Sequence, residues 1–231
     1  LMQVKSCFLH QNEKLEKFEA PNLLEIGNHF LHHNFALSHL FLPKVTTIGN
    51  DFLHYNKSLS NLDLPKLKRI GDGCLTCNGA IKFLNLPEVT EIGSWFLQNN
   101  RALIHAKFPK LLNVGVEFLQ FNNSLVDLEM PRLISARSSF LEYNRTLEKL
   151  YAPRIKDVGV FFLFDNKNIT LESLNKKTFS PALLSSMVNL YNKEINSIKL
   201  STLSITKQIK KIICLYKVRD IVLDGIHKNK N

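Results

Sequence analysis

Apolar side chains return along this chain on a 22-residue beat. Aligned on an Asn, one unit reads N-x-x-L-x-x-L-x-L-P-x-L-x-x-I-G-x-x-F-L-x-x. Residues 34–55 fill it with Leu37, Leu40, Leu42, Pro43, Val45, Ile48, Gly49, Phe52 and Leu53. The rows recur from unit to unit. Leu40 is followed by Leu62, Leu84, Leu128 and Leu150, and Phe30 by Phe52, Phe96, Phe118, Phe140 and Phe162, with Cys74 as the exception. The punctuation keeps the same period, in Asn12, Asn34, Asn56, Asn78, Asn100, Asn122, Asn144 and Asn166, and in Pro21, Pro43, Pro65, Pro87, Pro109, Pro131 and Pro153. A fixed short period means one structural unit stacked on copies of itself, a solenoid. A lone coil has no core, so the apolar rows must face inward and be buried against neighbouring coils.

Spacing within the unit predicts its local structure. The alternating L-x-L before each Pro reads as a short strand with both leucines inward. Strands are expected at Glu16–Glu19, Ser38–Leu42, Ser60–Leu64, Lys82–Leu86, Ile104–Phe108, Val126–Met130 and Glu148–Tyr151, each stopped by a residue with no N–H to extend the ladder. The I-G pair is expected to form a second bend, where Gly tolerates unusual backbone angles. The following x-x-F-L-x-x reads as about one turn of helix ending at the Asn. Eight stacked asparagines then form a structural amide ladder.

The pattern L-x-x-L-x-L-P-x-L-x-x-I-G-x-x-F-L-x-x-N resembles a leucine-rich repeat, most nearly the BspA-like (Treponema-type) class, over residues 4–170. The unit is one residue shorter than that class usually shows, and it carries F-L in place of A-F. The resemblance implies an α/β right-handed solenoid with a concave parallel sheet and short helical turns. It also implies a non-enzymatic scaffold that binds a protein ligand, and extends to a bacterial surface or secreted host-interaction protein. It names no ligand.

Residues 1–170 are accordingly one expected domain, seven full units after a truncated first one in which Val4-Lys5 and Phe8-Leu9 hold the I-G and F-L rows. That opening, without a dedicated cap or signal peptide, predicts a fragment or processed product. Residues 171–231 lose the beat and are expected to form an irregular β-α-β C-terminal cap. In it, Ser180-Pro181 starts a helix, Ile195–Leu200 forms a strand, 206–217 a second helix, and Arg219–Leu223 a second strand.

Charge adds an alternative. The chain holds 30 basic and 20 acidic residues, net +10, and residues 171–231 alone hold 11 and 4. The row after each Pro reads Asn22, Lys44, Lys66, Glu88, Lys110, Arg132 and Arg154. Such a row beside a basic tail fits a polyanion, nucleic acid or anionic surface, although no aromatics interleave it for base stacking. No apolar run reaches the roughly 18 residues of a membrane span.

Candidate chemistry is sparse. Cys74 and Cys77 resemble half a metal motif, but the repeat accounts for both, and the remaining cysteines, Cys7 and Cys214, form no second pair. Unpaired thiols favour a reducing compartment. His10, His32 and His54 share a row and stack about 5 Å apart. That row continues as Thr76, Gln98, Gln120 and Glu142, the drift expected of an exposed row, so no metal or other cofactor is expected. Asn56, Asn122, Asn144 and Asn168 head N-x-S/T triplets, the first three in a row that must be buried, where no sugar fits. No catalytic motif is present.

The expected binding surface is the outward side of the L-x-L strands. Its residues are Lys17 and Glu19, His39 and Phe41, Asn61 and Asp63, Phe83 and Asn85, His105 and Lys107, Asp127 and Glu129, Lys149 and Tyr151. The repeat does not require Phe41, Phe83 or Tyr151, which makes them candidate anchors.

Overall fold

Backbone groups in a coil this short cannot all be satisfied within it, so they bond to the coils on either side. The structure, a computed structural model, describes residues 2–169, 188–190 and 192–193. Three sets of inter-coil hydrogen bonds hold residues 2–169 together.

The first runs through the row before the Gly. Gln3–Val4, Glu25–Ile26, Thr47–Ile48, Arg69–Ile70, Glu91–Ile92, Asn113–Val114, Ser135–Ala136 and Asp157–Val158 form one eight-stranded sheet in chain order. Thr47 lies opposite Arg69 and Ile48 opposite Ile70, both 22 residues on. The sequence period is therefore the register of the sheet. This sheet replaces the expected bend at I-G, and the glycines there do not adopt positive φ. They are needed because coils pass too closely for a side chain. A Cβ on Gly71 would lie 2.7 Å from the Gly49 carbonyl carbon and 2.8 Å from the Asn50 nitrogen. Lys5, in the first coil, and Arg137, in the coil where Ala136 replaces the larger residue before it, are the exceptions.

The second set joins the L-x-L strands. Lys17–Glu19 pairs with His39–Phe41, and Phe83–Asn85, His105–Lys107, Asp127–Glu129 and Lys149–Tyr151 form a four-stranded parallel sheet. The strand expected at Ser60–Leu64 is absent. Leu62 and Leu64 still point inward and Asn61 and Asp63 outward, but the ladder lapses between the two sheets. Ser, Asn and Asp fit strands poorly and compete for backbone groups with their own side chains.

The third set corrects the expected helical turns. No residue between 2 and 169 is helical. Instead φ turns positive at every second residue of the F-L segment, as at His29 (55°), Leu31 (55°) and His33 (57°), and the same three places recur in every coil, with Gly73 taking one of them. The N–H groups donate alternately forward and back: His29 to Asn50 O at 2.7 Å, Leu31 to Phe8 O at 3.1 Å, and His33 to His54 O at 2.9 Å. Left-handed geometry costs an L-residue roughly 1–2 kcal/mol when sustained. A helical turn would bond within itself and leave those neighbouring carbonyls unpaired, which offsets that cost.

Buried rows fill the interior. Phe30 stacks on Phe52 at 6.1 Å, and Phe96, Phe118, Phe140 and Phe162 continue at 5.6, 5.7 and 5.2 Å. Removing one such ring from water is worth roughly 1.5–3 kcal/mol. Cys74 interrupts the stack fully buried, its thiol bonded to the Gly49 carbonyl at 3.0 Å. The row expected to be exposed is also covered: Gln98 donates to Gln120 at 2.8 Å and Gln120 to Glu142 at 2.7 Å, and Thr76, Gln120 and Glu142 are buried. Bonds along the row satisfy the Gln and Glu side chains, and the Thr76 hydroxyl bonds the Gly73 and Trp95 carbonyls at 3.0 and 2.9 Å, which makes their burial tolerable.

Seven of the eight asparagines expected in a ladder, Asn34 to Asn166, bond across coils, and Asn12 does not join them. Asn34, Asn56, Asn78, Asn100, Asn122 and Asn144 have no exposed surface. Asn100 clamps the coil behind it from two sides: its Nδ2 donates to Leu75 O at 2.7 Å, and its Oδ1 accepts from Asn78 N–H at 3.0 Å. The donor half continues from Asn34 to Asn166, and the acceptor half from Asn78 to Asn144. At Asn34, Asn56 and Asn166 the amide oxygen has no partner among the described residues. Asn12 is exposed and bonds to His10 O at 3.2 Å in its own coil.

Of the expected C-terminal cap, residues 188–190 and 192–193 are helical and Val188 packs against the core. The strands and the second helix expected beyond residue 193 lie outside the described residues.

Two stability outcomes are expected. Asn100→Leu orphans Leu75 O and Asn78 N–H, at roughly 1–3 kcal/mol each, and should lower the melting temperature by about 5 °C or more. Asn12→Leu should barely move it, and equal shifts at the two sites would contradict the ladder. Gly71→Ala should cost roughly 1–3 kcal/mol by overpacking. Gly79→Ala, with nothing within 4 Å of its added Cβ, should be neutral or stabilise by up to about 1 kcal/mol. Chemical denaturation of both glycine variants checks the contrast.

Candidate functional site

Alternation in the L-x-L strands sends one residue in three to the core and its two neighbours out. Leu40, Leu62, Leu84, Ala106, Leu128 and Leu150 are buried. His39, Phe41, Asn61, Asp63, Phe83, Asn85, Lys107, Lys149 and Tyr151 are exposed, and His105, Asp127 and Glu129 are half-buried. The expected surface residues therefore share one face, in three groups.

At one end Lys17 and Glu19 pair at 2.8 Å, and His39 Nε2 meets the same carboxylate at 3.1 Å. The hydrogen bond from Lys17, then its charge and the hydrogen bond from His39, hold the Glu19 carboxyl below its usual range. Toward the other end Lys107 and Glu129 pair at 2.8 Å, which raises the Lys107 ammonium above its ordinary value, and His105 approaches Asp127 at 3.8 Å. The centre differs. Asn61, Asp63, Phe83, Asn85, His105 and Lys107 line an open depression of about 410 Å³. Phe83 stays 61% exposed while its ring stacks on His105 at 5.5 Å and 6°. The depression sits where the ladder lapses at residues 60–64. Phe41 and Tyr151, 46% and 49% exposed, lie toward its two sides and not in it.

The basic row is only partly free to meet an anion. Lys44 bonds Asn22 at 2.7 Å, and Lys110 pairs with Glu88 at 2.7 Å, which lowers the Glu88 carboxyl. Lys44, Lys66 and Lys68 border a groove of about 530 Å³ with Leu24, Thr46, Pro65 and Glu88.

A third cluster lies on the F-L side. His10 Nε2 and His32 Nδ1 are 2.9 Å apart, and His32 Nδ1 and His33 Nδ1 also 2.9 Å. The row pattern had grouped His54 with His10 and His32. The structure brings in His33, and His54 meets the His32 ring edge-on at 4.9 Å. The adjacent pair His32-His33 was the available signal. It is uninformative under regular strand alternation, and becomes meaningful only once this segment is known to turn left-handed at every second residue. Burial first, then the neighbouring His33, His54, His10 and His29, pushes the His32 imidazole down to about 4.

Burial pushes the Cys74 thiol up to about 12, the opposite of what thiolate chemistry needs. Cys7, Cys74 and Cys77 are all free thiols. Among the described residues no helix is long and apolar enough to cross a membrane.

Comparison with known proteins supports this architecture. A crystal structure of a leucine-rich-repeat protein from T. pallidum superposes with a TM-score of 0.54 at 16% identity, over 78% of each chain, which shows likeness of fold. No curated protein matches the sequence. Leucine-rich repeats generally form protein-interaction scaffolds without catalytic machinery. Six copies of the BspA type Leucine rich repeat region match residues 3–126, and the chain belongs to that family.

Proposed function

We propose that this solenoid binds a protein ligand across its L-x-L face, taken as the concave side, with Phe83 as the central anchor. The exposed Phe83 ring over the 410 Å³ depression carries this reading. An aromatic held rigid by stacking on His105 loses little freedom on binding, and charged pairs on either side supply a polar rim. Phe41 and Tyr151 extend the apolar contact along the row. The depression is open, and the described residues of this face bring together no groups with strongly shifted acidity, which suits recognition and not catalysis. The same reading takes a bacterial surface or secreted host-interaction role as the setting of that scaffold.

Phe83→Ala should weaken capture of a partner at least about tenfold, the scale of a binding hot spot, with smaller losses for Phe41→Ala and Tyr151→Ala. Stability of all three should stay within about 0.5 kcal/mol. Affinity measured by surface plasmon resonance that survives all three changes would overturn this docking face.

The lysine-bordered groove supports a second reading, binding of a polyanion through Lys44, Lys66 and Lys68. Heparin affinity should then fall steeply with salt, and Lys66→Glu together with Lys68→Glu should abolish it. Binding indifferent to salt, or to both changes, rules the groove out.

A further inference from the structure

We propose that His10, His32 and His33 form a binding site for a divalent transition-metal ion of the zinc class, with the fourth coordination position left to water. One ring nitrogen from each lies within 4.8 Å of the other two. Tetrahedral zinc with nitrogen at 2.0–2.1 Å needs its ligand atoms about 3.3 Å apart. The two close pairs, at 2.9 Å, need to open by only a few tenths of an ångström. The His10 and His33 nitrogens, within 4.8 Å of each other, must draw to the same spacing, and with His10 exposed and the other two half-buried the rings have room to turn and an ion has a path in.

Hydrogen bonding alone accounts poorly for this geometry. His32 Nδ1 faces two ring nitrogens at once, yet a neutral imidazole nitrogen offers either one proton or one in-plane lone pair. It can make one good linear bond, not two. An ion between three lone pairs satisfies all of them, and imidazole is a preferred ligand of zinc, copper and nickel.

The surroundings hold the rings in place. Tyr55 stacks on His33 at 4.8 Å and on His54 at 4.4 Å. Asp51 contacts His29 at 3.2 Å and His54 at 3.7 Å, placing a carboxylate one ring beyond the cluster. The three ligands come from two successive coils, His10 from one and His32 and His33 from the next, so an ion would cross-link the two coils and couple occupancy to stability.

The test uses the full chain without a histidine tag, stripped with EDTA and titrated with Zn²⁺ alone by calorimetry, with melting followed in parallel. One ion per chain is expected, together with a zinc-dependent rise in melting temperature. His10→Asn and His33→Asn should each weaken binding at least about tenfold and remove that rise. His10→Asn, at an exposed position, should melt like the unchanged chain in EDTA, which separates lost ligation from lost folding. His39→Asn and Cys7→Ser should bind as the unchanged chain does. No saturable binding below about 100 µM, affinity unchanged in the His10→Asn/His33→Asn double variant, or sulfur scatterers at the zinc absorption edge would each overturn the site.

Discussion

Everything in this protein depends on one constraint: a coil of 22 residues cannot satisfy its own backbone. Its N–H and C=O groups must bond across to neighbours, and three inter-coil sets of bonds do so, with the asparagine amides closing the corner that the backbone cannot reach. Asn100 bonds a carbonyl and an N–H of coils behind it at once. A leucine there would fill the space and leave both groups dry and unpaired, which is the expensive outcome inside a protein. The repeat is therefore rigid in the rows that carry these bonds and permissive elsewhere.

That division determines where function can sit. Inward rows are committed to Leu, Phe, Ile and Asn, and the close passage of coils commits most positions after the Ile to Gly. Outward positions of the L-x-L strands carry no such duty, so the composition there is free to serve a ligand. Phe83 and Tyr151 on that face, like the histidines on the opposite limb of the coil, are residues the architecture tolerates without needing them. Stacking by 22 residues also turns any side chain repeated in adjacent units into a cluster, as the Gln98–Gln120–Glu142 chain shows. A solenoid thus assembles multi-residue sites from single positions.

Legibility followed the strength of the period. The inward rows and the Asn ladder could be read from sequence because each residue type recurs where burial or hydrogen bonding demands it. The outward positions of the candidate face were legible too, through period-two alternation about Leu40, Leu84 and Leu128. What failed were features set by competition between coils. Ser60–Leu64 has the right alternation but side chains that bond poorly in a ladder, so the sheet lapses there and opens the depression beside Phe83. The Gly after each Ile looked like a bend and proved to be a clearance for the neighbouring coil.

By itself, then, the sequence determined the coil length, the register of every parallel pair, and which side chains are inside, because a strict repeat leaves each row one environment. Only the tertiary structure decided how the F-L segment is wound. A helical turn and a chain alternating between right- and left-handed residues bury Phe30 and Leu31 equally well, and the choice lies in whether N–H groups bond within the coil or across to the next. Crossing won, since the adjacent carbonyls had no other donors. The same choice turned His33 toward His32 and His10, a meeting of three imidazoles that no spacing rule could have shown.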